Sequence, residues 1–375
     1  MENLSRVELE ALLQRVFLPS PEEGAVLVLV DLPDEAVPDT PTWQGLRQLA
    51  AGWVASLEGG RFQARIFGIR NARRNNADLP EVAWLLDPRR MPGSAGELDP
   101  EATRPLWDLL ASRPLVLAPT RFSATAPLKR LAARIGFRGA TLPGFTEAMV
   151  PALRLDLEEV HRRVERLARL LDEATEARLH FLVDGREASD LRLDLRFRKA
   201  HRSSGLLREP GQVGNLPSGE AYIVPYEGEE EPSRSEGVLP VELDGEVVRY
   251  RVEGNRAVSV EGDGPVASRE RDALSREPAC GNLAELGLGV LAEMGIEPIG
   301  KVLLDEKLGL HVAFGRSDHF GGQVGPRDFR NPEAVVHIDR VYLPSLQPRI
   351  QVPVVDLVLA NGDTLPLMRD GRYVT

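Results

Sequence analysis

Short apolar runs at residues 25–30, 62–67, 82–86 and 115–118, unbroken in all but the second, alternate through the first half of the chain with amphipathic, helix-like stretches. An apolar run of strand length without polar alternation belongs to a strand covered on both faces, and such strands separated by helices build a parallel sheet. The pattern predicts an α/β N-terminal domain with a mostly parallel sheet over residues 1–176. A helix at about 156–174, with Val160, Val164, Leu167 and Leu171 on one stripe, closes it.

Beyond residue 177 the period changes. Strands are expected at 179–183 and 191–197 around Gly185, and at 238–243 and 246–252 joined by Asp244-Gly245, a dipeptide suited to two-residue hairpin turns. Asn361-Gly362 repeats that signal near the end. The second domain, residues 177–375, is predicted to be α+β and antiparallel-rich.

Candidate chemistry concentrates in this second domain. His337 and Asp339 lie two apart in the apolar alternating run 334–343, so a strand would turn both to one face. His311 opens a second run, 311–314, in which Val312 and Phe314 belong to the opposite, packing face. Glu220 follows the turn signal 215–219 and precedes the strand-like 221–224. Glu285 precedes Gly287-Leu288-Gly289, read as a glycine-rich turn that Glu285 could cap instead of serving a site. Glu306 could equally pair with Lys307 or Arg316 at the surface. Those two glycines with Ala292 match the dinucleotide fingerprint only loosely and lack its preceding apolar strand, so a nicotinamide cofactor is rejected. Imidazole and carboxylate together suit Zn, Co or Mn, and several carboxylates can bridge two ions that activate a water, the pattern of a metallohydrolase. His161, His180 and His201 lack such company and are read as surface or packing residues. The acidic run 227–231 reads as a solvated loop.

The segments Gly219-Glu220-Ala221-Tyr222, Leu283-Ala284-Glu285-Leu286-Gly287, Leu304-Asp305-Glu306-Lys307 with His311 five residues after the glutamate, and His337-Ile338-Asp339 resemble the signature stretches of the aminopeptidase T family of metal-dependent aminopeptidases. The resemblance runs from about residue 115 to the C-terminus, including the ending 367–373. It implies two divalent ions (Zn, Co or Mn) on Glu220, Glu285, His311, His337 and Asp339, with Glu306 as general base, a peptide substrate, and a homodimer. The family's tyrosine, seven residues after the first histidine, is replaced here by Asp318 followed by His319. An ionised aspartate cannot donate a hydrogen bond to an oxyanion, whereas an imidazole can, which makes His319 the expected replacement donor.

The same residues admit another chemistry. His311, His337 and Asp339 alone form a 2-His-1-carboxylate set, the ligand type of mononuclear Fe(II) oxygenases, and ring-cleaving dioxygenases resemble this peptidase family. A third alternative is a non-catalytic relative on the same scaffold.

Composition narrows the classes further. A chain of 375 residues exceeds what one compact core usually serves, so two domains are expected. The formal charge of −11 argues against nucleic-acid binding, which needs clustered cations to neutralise phosphates. Cys280 is the sole cysteine, which rules out an intramolecular disulfide and a thiolate zinc site. The N-terminal residues lack a secretory pattern and no apolar run approaches the ~20 residues of a spanning helix, so a cytoplasmic protein without membrane contact is expected.

Overall fold

The computed structural model describes residues 3–374. The chain divides into two compact units, one comprising the residues up to His161 together with Ser203–Ser218, the other Arg162–Arg202 together with the residues from Gly219 onward.

In the first unit a seven-stranded sheet has the order Val213–Asn215, Arg138–Thr141, Leu115–Ala118, Ala25–Leu32, Gln63–Arg70, Val82–Leu85, Thr103–Pro105. The first five of these run parallel, and the last two join antiparallel at one edge. Ala25–Leu32 lies centrally, with Val26, Leu27, Val28, Leu29 and Val30 wholly buried, as its unbroken apolar run requires. The sheet is therefore mixed, containing parallel strands. The run at 82–86 departs from the parallel expectation because its strand spans only Val82–Leu85 and pairs antiparallel with Gln63–Arg70.

The helix Leu157–Glu173 buries Val160, Val164, Leu167 and Leu171, the stripe legible in the sequence. After it the second unit is built of antiparallel sheets. Its larger sheet has eight strands assembled from hairpins, among them Glu236–Leu243 with Glu246–Glu253, where Leu243 pairs with Glu246 across Asp244-Gly245. Ile350–Leu359 and Thr364–Arg369 flank Asn361-Gly362 in the same way.

The smaller sheet of this unit has five strands, here labelled β1 (His201–Ser203), β2 (Glu220–Ile223), β3 (Leu283–Gly289), β4 (Leu310–Gly315) and β5 (His337–Val341), in the order β5-β4-β3-β2-β1. One face of β4 packs toward the larger sheet. Phe314 meets Tyr250 of Glu246–Glu253 at a ring distance of 4.8 Å, and Val312 is wholly buried. Just past β5, Tyr342 lies 5.2 Å from the Phe181 ring and donates to the Pro240 carbonyl at 2.8 Å. Side chains alternate along a strand, so the opposite face of β4 carries His311 and Ala313.

Candidate metal centre

Register places the site residues on that opposite face. Across β2–β3, Glu220 pairs with Gly289 and Tyr222 with Gly287. Across β3–β4, Gly287 pairs with His311 and Glu285 with Ala313. Across β4–β5, Ala313 pairs with Asp339 and Gly315 with His337. Each of the six long side chains thus stands beside a glycine or an alanine. The small residues leave room that the long ones fill.

Two of these glycines are fixed by contact. A Cβ at Gly287 would lie 2.0 Å from His311 Nε2, and one at Gly289 would lie 2.2 Å from the Lys307 carbonyl carbon. The run Gly287-Leu288-Gly289 is therefore strand rather than turn, and Glu285 is a residue of that strand rather than a cap. A glycine cluster in sequence does not distinguish a bend from a strand that must admit a close neighbour.

The donors converge. Glu220, Glu285 and His311 form one group whose ligand atoms all lie within 4.8 Å of one another, and Glu285, His337 and Asp339 form a second. Glu285 belongs to both: its Oε1 is 3.2 Å from His311 Nε2 and its Oε2 is 3.3 Å from His337 Nε2. Asp339 Oδ1 is 3.3 Å from the same His337 nitrogen. Neither group contains both histidines, so His311, His337 and Asp339 do not gather about a single point among the described residues.

Both histidines are oriented in the manner of metal ligands. His311 Nδ1 faces the Gly309 carbonyl at 3.3 Å, and His337 Nδ1 faces the Arg316 carbonyl at 2.8 Å. A carbonyl only accepts, so each Nδ1 carries the proton and each Nε2 is turned to the carboxylates. Metal-bound imidazoles are held in this way. Glu220 Oε2 is buried with no hydrogen-bond partner, an acceptor that a cation would satisfy. The residues present fit a divalent ion.

Electrostatics follow from the crowding. Burial acts to raise the Glu285 carboxyl, but hydrogen bonds from His311 and His337 outweigh it and hold it down to about 2. Burial disfavours the charged His311 ring, yet Glu285 and Glu220 hold it up at about 9. Glu306 is pushed by burial up to about 8, with Lys307 opposing and Asp339 and Glu220 reinforcing the rise. It follows the short helix Val302–Asp305 and hydrogen-bonds Lys307 Nζ at 2.5 Å. The pairing of Glu306 with Lys307 occurs in the interior rather than at the surface, since the Lys307 side chain is 3% exposed and also contacts Glu220.

Asp318 and His319 lie on the loop after β4. The Asp318 carboxylate is held by Arg316, with Nε at 2.5 Å, so its charge is answered locally. His319 packs against Phe320 at 3.9 Å and edge-on to His337 at 5.3 Å, and burial lowers its pKa to about 4, which leaves the ring neutral. Among the other histidines, His161 meets Ser204 and His180 meets Asp190, away from the cluster. His201 is no ligand either, but it stacks on Tyr222 at 4.9 Å and its Nε2 donates to the Phe320 carbonyl at 2.7 Å. His201, Tyr222, Phe320 and His319 thus make an aromatic wall beside His337.

Two residues with supporting roles have no sequence signal of their own. Lys307 is one. Glu227, the first residue of the acidic run, is the other: its carboxylate, 4% exposed, accepts from Asn282 Nδ2 at 2.6 Å, Ser317 Oγ at 2.5 Å and the Gln323 backbone N–H. It therefore pins both ends of the loop that carries His319, instead of lying in solvent.

The fold and site together define a mixed α/β protein with a buried histidine–carboxylate cluster able to hold a metal ion, and no helix among the described residues is long and apolar enough to cross a membrane. The chain is similar to the solved structure of 2,5-dihydroxypyridine dioxygenase from Pseudomonas putida KT2440, with a TM-score of 0.61 and 16% identity over 99% of this chain and 98% of that one. At that identity the likeness is one of fold. No family model and no curated protein matches. The expectation of a metallo-aminopeptidase is corrected on this finding: this solved structure of similar fold is that of a dioxygenase, an oxidoreductase, and not of a hydrolase. Histidine and carboxylate ligands serve both reaction classes, so the ligand set alone could not separate them.

Proposed function

We propose that this protein is a metal-dependent dioxygenase that opens an electron-rich, hydroxylated aromatic ring, with iron as its metal. The observation that carries the reading is the paired orientation of His311 and His337, each with Nδ1 tied to a backbone carbonyl and Nε2 turned to Glu285, within a fold similar to that of a 2,5-dihydroxypyridine dioxygenase. The residues that would hold the ion are Glu285 with His337 and Asp339, or Glu285 with Glu220 and His311. A bound ferrous ion supplies the one-electron and O2 chemistry that amino-acid side chains lack.

The chain's own residues do the rest. Phe320, Tyr222 and His319 offer ring faces and edges beside His337, against which a planar substrate packs in offset or edge-on geometry. His319, neutral and partly accessible, presents an N–H or a lone pair to a ring hydroxyl. Glu306 belongs to neither donor group and adjoins Lys307, the position of a group that accepts a proton from substrate.

Anaerobic reconstitution with ferrous iron, followed by an oxygen-electrode assay against dihydroxylated pyridines and benzenes, tests the proposal. Oxygen uptake matched to loss of the ring's ultraviolet absorbance is expected with at least one of them. Absence of ring-dependent uptake across the panel, in protein shown to contain iron, overturns it.

A further inference from the structure

We propose that Lys307 is a built-in cation that takes the electrostatic place of one metal ion, so that the cluster holds a single divalent ion, on Glu285, His337 and Asp339. This rests on the metal-centre reading above and decides between the two donor groups that share Glu285.

Glu220 Oε2 has no hydrogen-bond partner, but its carboxylate, unlike those of the other group, already holds a buried ammonium. On the Glu220 side the Lys307 ammonium already sits between Glu220 Oε1 and Glu306 Oε1, buried from solvent. A divalent ion placed among Glu220, Glu285 and His311 would share Glu220 with that ammonium, two like charges in a dry setting where solvent screens little. On the other side Glu285 and Asp339 meet the imidazole Nε2 of His337, a ligand type, instead of an ammonium. An ammonium offers no lone pair to a metal.

The Lys307 backbone is also anchored. Its backbone carbonyl accepts from Leu291 N at 2.9 Å and its N–H donates to Leu304 O at 2.9 Å. Gly289, the register partner of Glu220, has no side chain precisely where the Lys307 backbone passes, so strand β2 and the lysine segment meet across it. The ammonium itself is held by Glu220 and Glu306, on a side chain 3% exposed.

The test is metal stoichiometry in the full-length protein, using zinc or cobalt after removal of endogenous metal and measuring bound ions by elemental analysis. One ion per chain is expected for the parent. Glu220→Gln and His311→Ala should keep that ion, while His337→Ala and Asp339→Asn should lose it, with apparent affinity falling ~10²-fold or more. Folded Lys307→Gln should admit a second ion. Two ions per chain in the parent overturn the proposal, as does an ion retained by His337→Ala but lost from His311→Ala, or a folded Lys307→Gln that still binds one. If Lys307→Gln does not fold, the four ligand variants decide alone. Zinc counting is blind to oxygen chemistry: one ion on the expected side without oxygen uptake sinks the dioxygenase reading only, and no ion in the parent sinks both.

Discussion

Gly287 stands directly across from His311 in the antiparallel register of β3 and β4, and the imidazole fills the space where a glycine side chain would begin. The glycine is in that sense part of the site, because the ring can reach Glu285 only by lying over its neighbour's backbone. Gly287→Ala should therefore displace His311 while leaving the strand paired. The bound ion should stay, as in His311→Ala, while stability falls by roughly 1–3 kcal/mol with far-ultraviolet circular dichroism unchanged. Parent-like stability would show that the ring relocates at no cost.

Metal binding should be visible as stability. An ion held only by the folded state stabilises it by ~2.7 kcal/mol at a hundredfold excess over Kd. His337→Ala should abolish the rise in Tm on adding zinc or iron, and a chelator should bring the parent down to the same value. His201→Ala should keep the rise, because His201 touches Tyr222 and the Phe320 carbonyl instead of the ligand groups. Equal behaviour of the two variants would remove His337 from the ligand set.

Glu227 links the acidic run to the loop bearing His319 through Ser317 and Gln323. Glu227→Gln retains the shape but weakens charge-assisted bonds at both ends of the loop. Metal content should stay at the parent level, hydrogen exchange at residues 317–323 should quicken, and turnover should drop ~10-fold. His319→Ala should lower turnover by ~10²-fold, again without metal loss. Loss of metal in either variant would mean that the loop supports the ligands themselves.

Away from the site, Asp194 gives the pH response of the second unit. Its side chain, 1% exposed, pairs with Arg196 at 2.7 Å and accepts from the Arg234 and Arg196 backbone. Burial works against the carboxylate, but these bonds hold its pKa below the ordinary 3.8. A depressed folded pKa means that the stabilisation is complete above 3.8 and drains away as pH falls through the lower folded value. Chemical denaturation between pH 6 and strongly acidic conditions should show the parent losing more stability than Asp194→Asn, which at neutral pH should itself be less stable by roughly 3 kcal/mol. Parallel pH curves for the two proteins would refute the assignment.

Much of the architecture was legible because local period reports it directly. Two-residue spacing put His337 and Asp339 on one face, alternation assigned Val312 and Phe314 to the packing side of β4, and Asp244-Gly245 marked its hairpin. What was hidden depends on partners distant in sequence. Nothing near Lys307 announces that Glu220 lies beside its ammonium, and nothing in the acidic run separates the buried Glu227 from its solvated neighbours. Gly287 and Gly289 looked like a turn because glycine marks both bends and close approaches. The reaction class stayed hidden for a chemical reason, since water activation and oxygen activation draw on the same nitrogen and oxygen ligands.

Along β4 the residues that stabilise the unit and those that face the metal centre alternate one by one: Val312 and Phe314 turn to the larger sheet, His311 and Ala313 to the ligand cluster. Heritable change can thus act on one set without the other. A library varied at 311, at 313 and at its β5 partner 339, with Gly287 kept, would sample new reactivities at nearly constant foldability, whereas one varied at 312 and 314 would mostly yield unfolded protein. The strand is a ready-made separation of scaffold from chemistry at single-residue resolution.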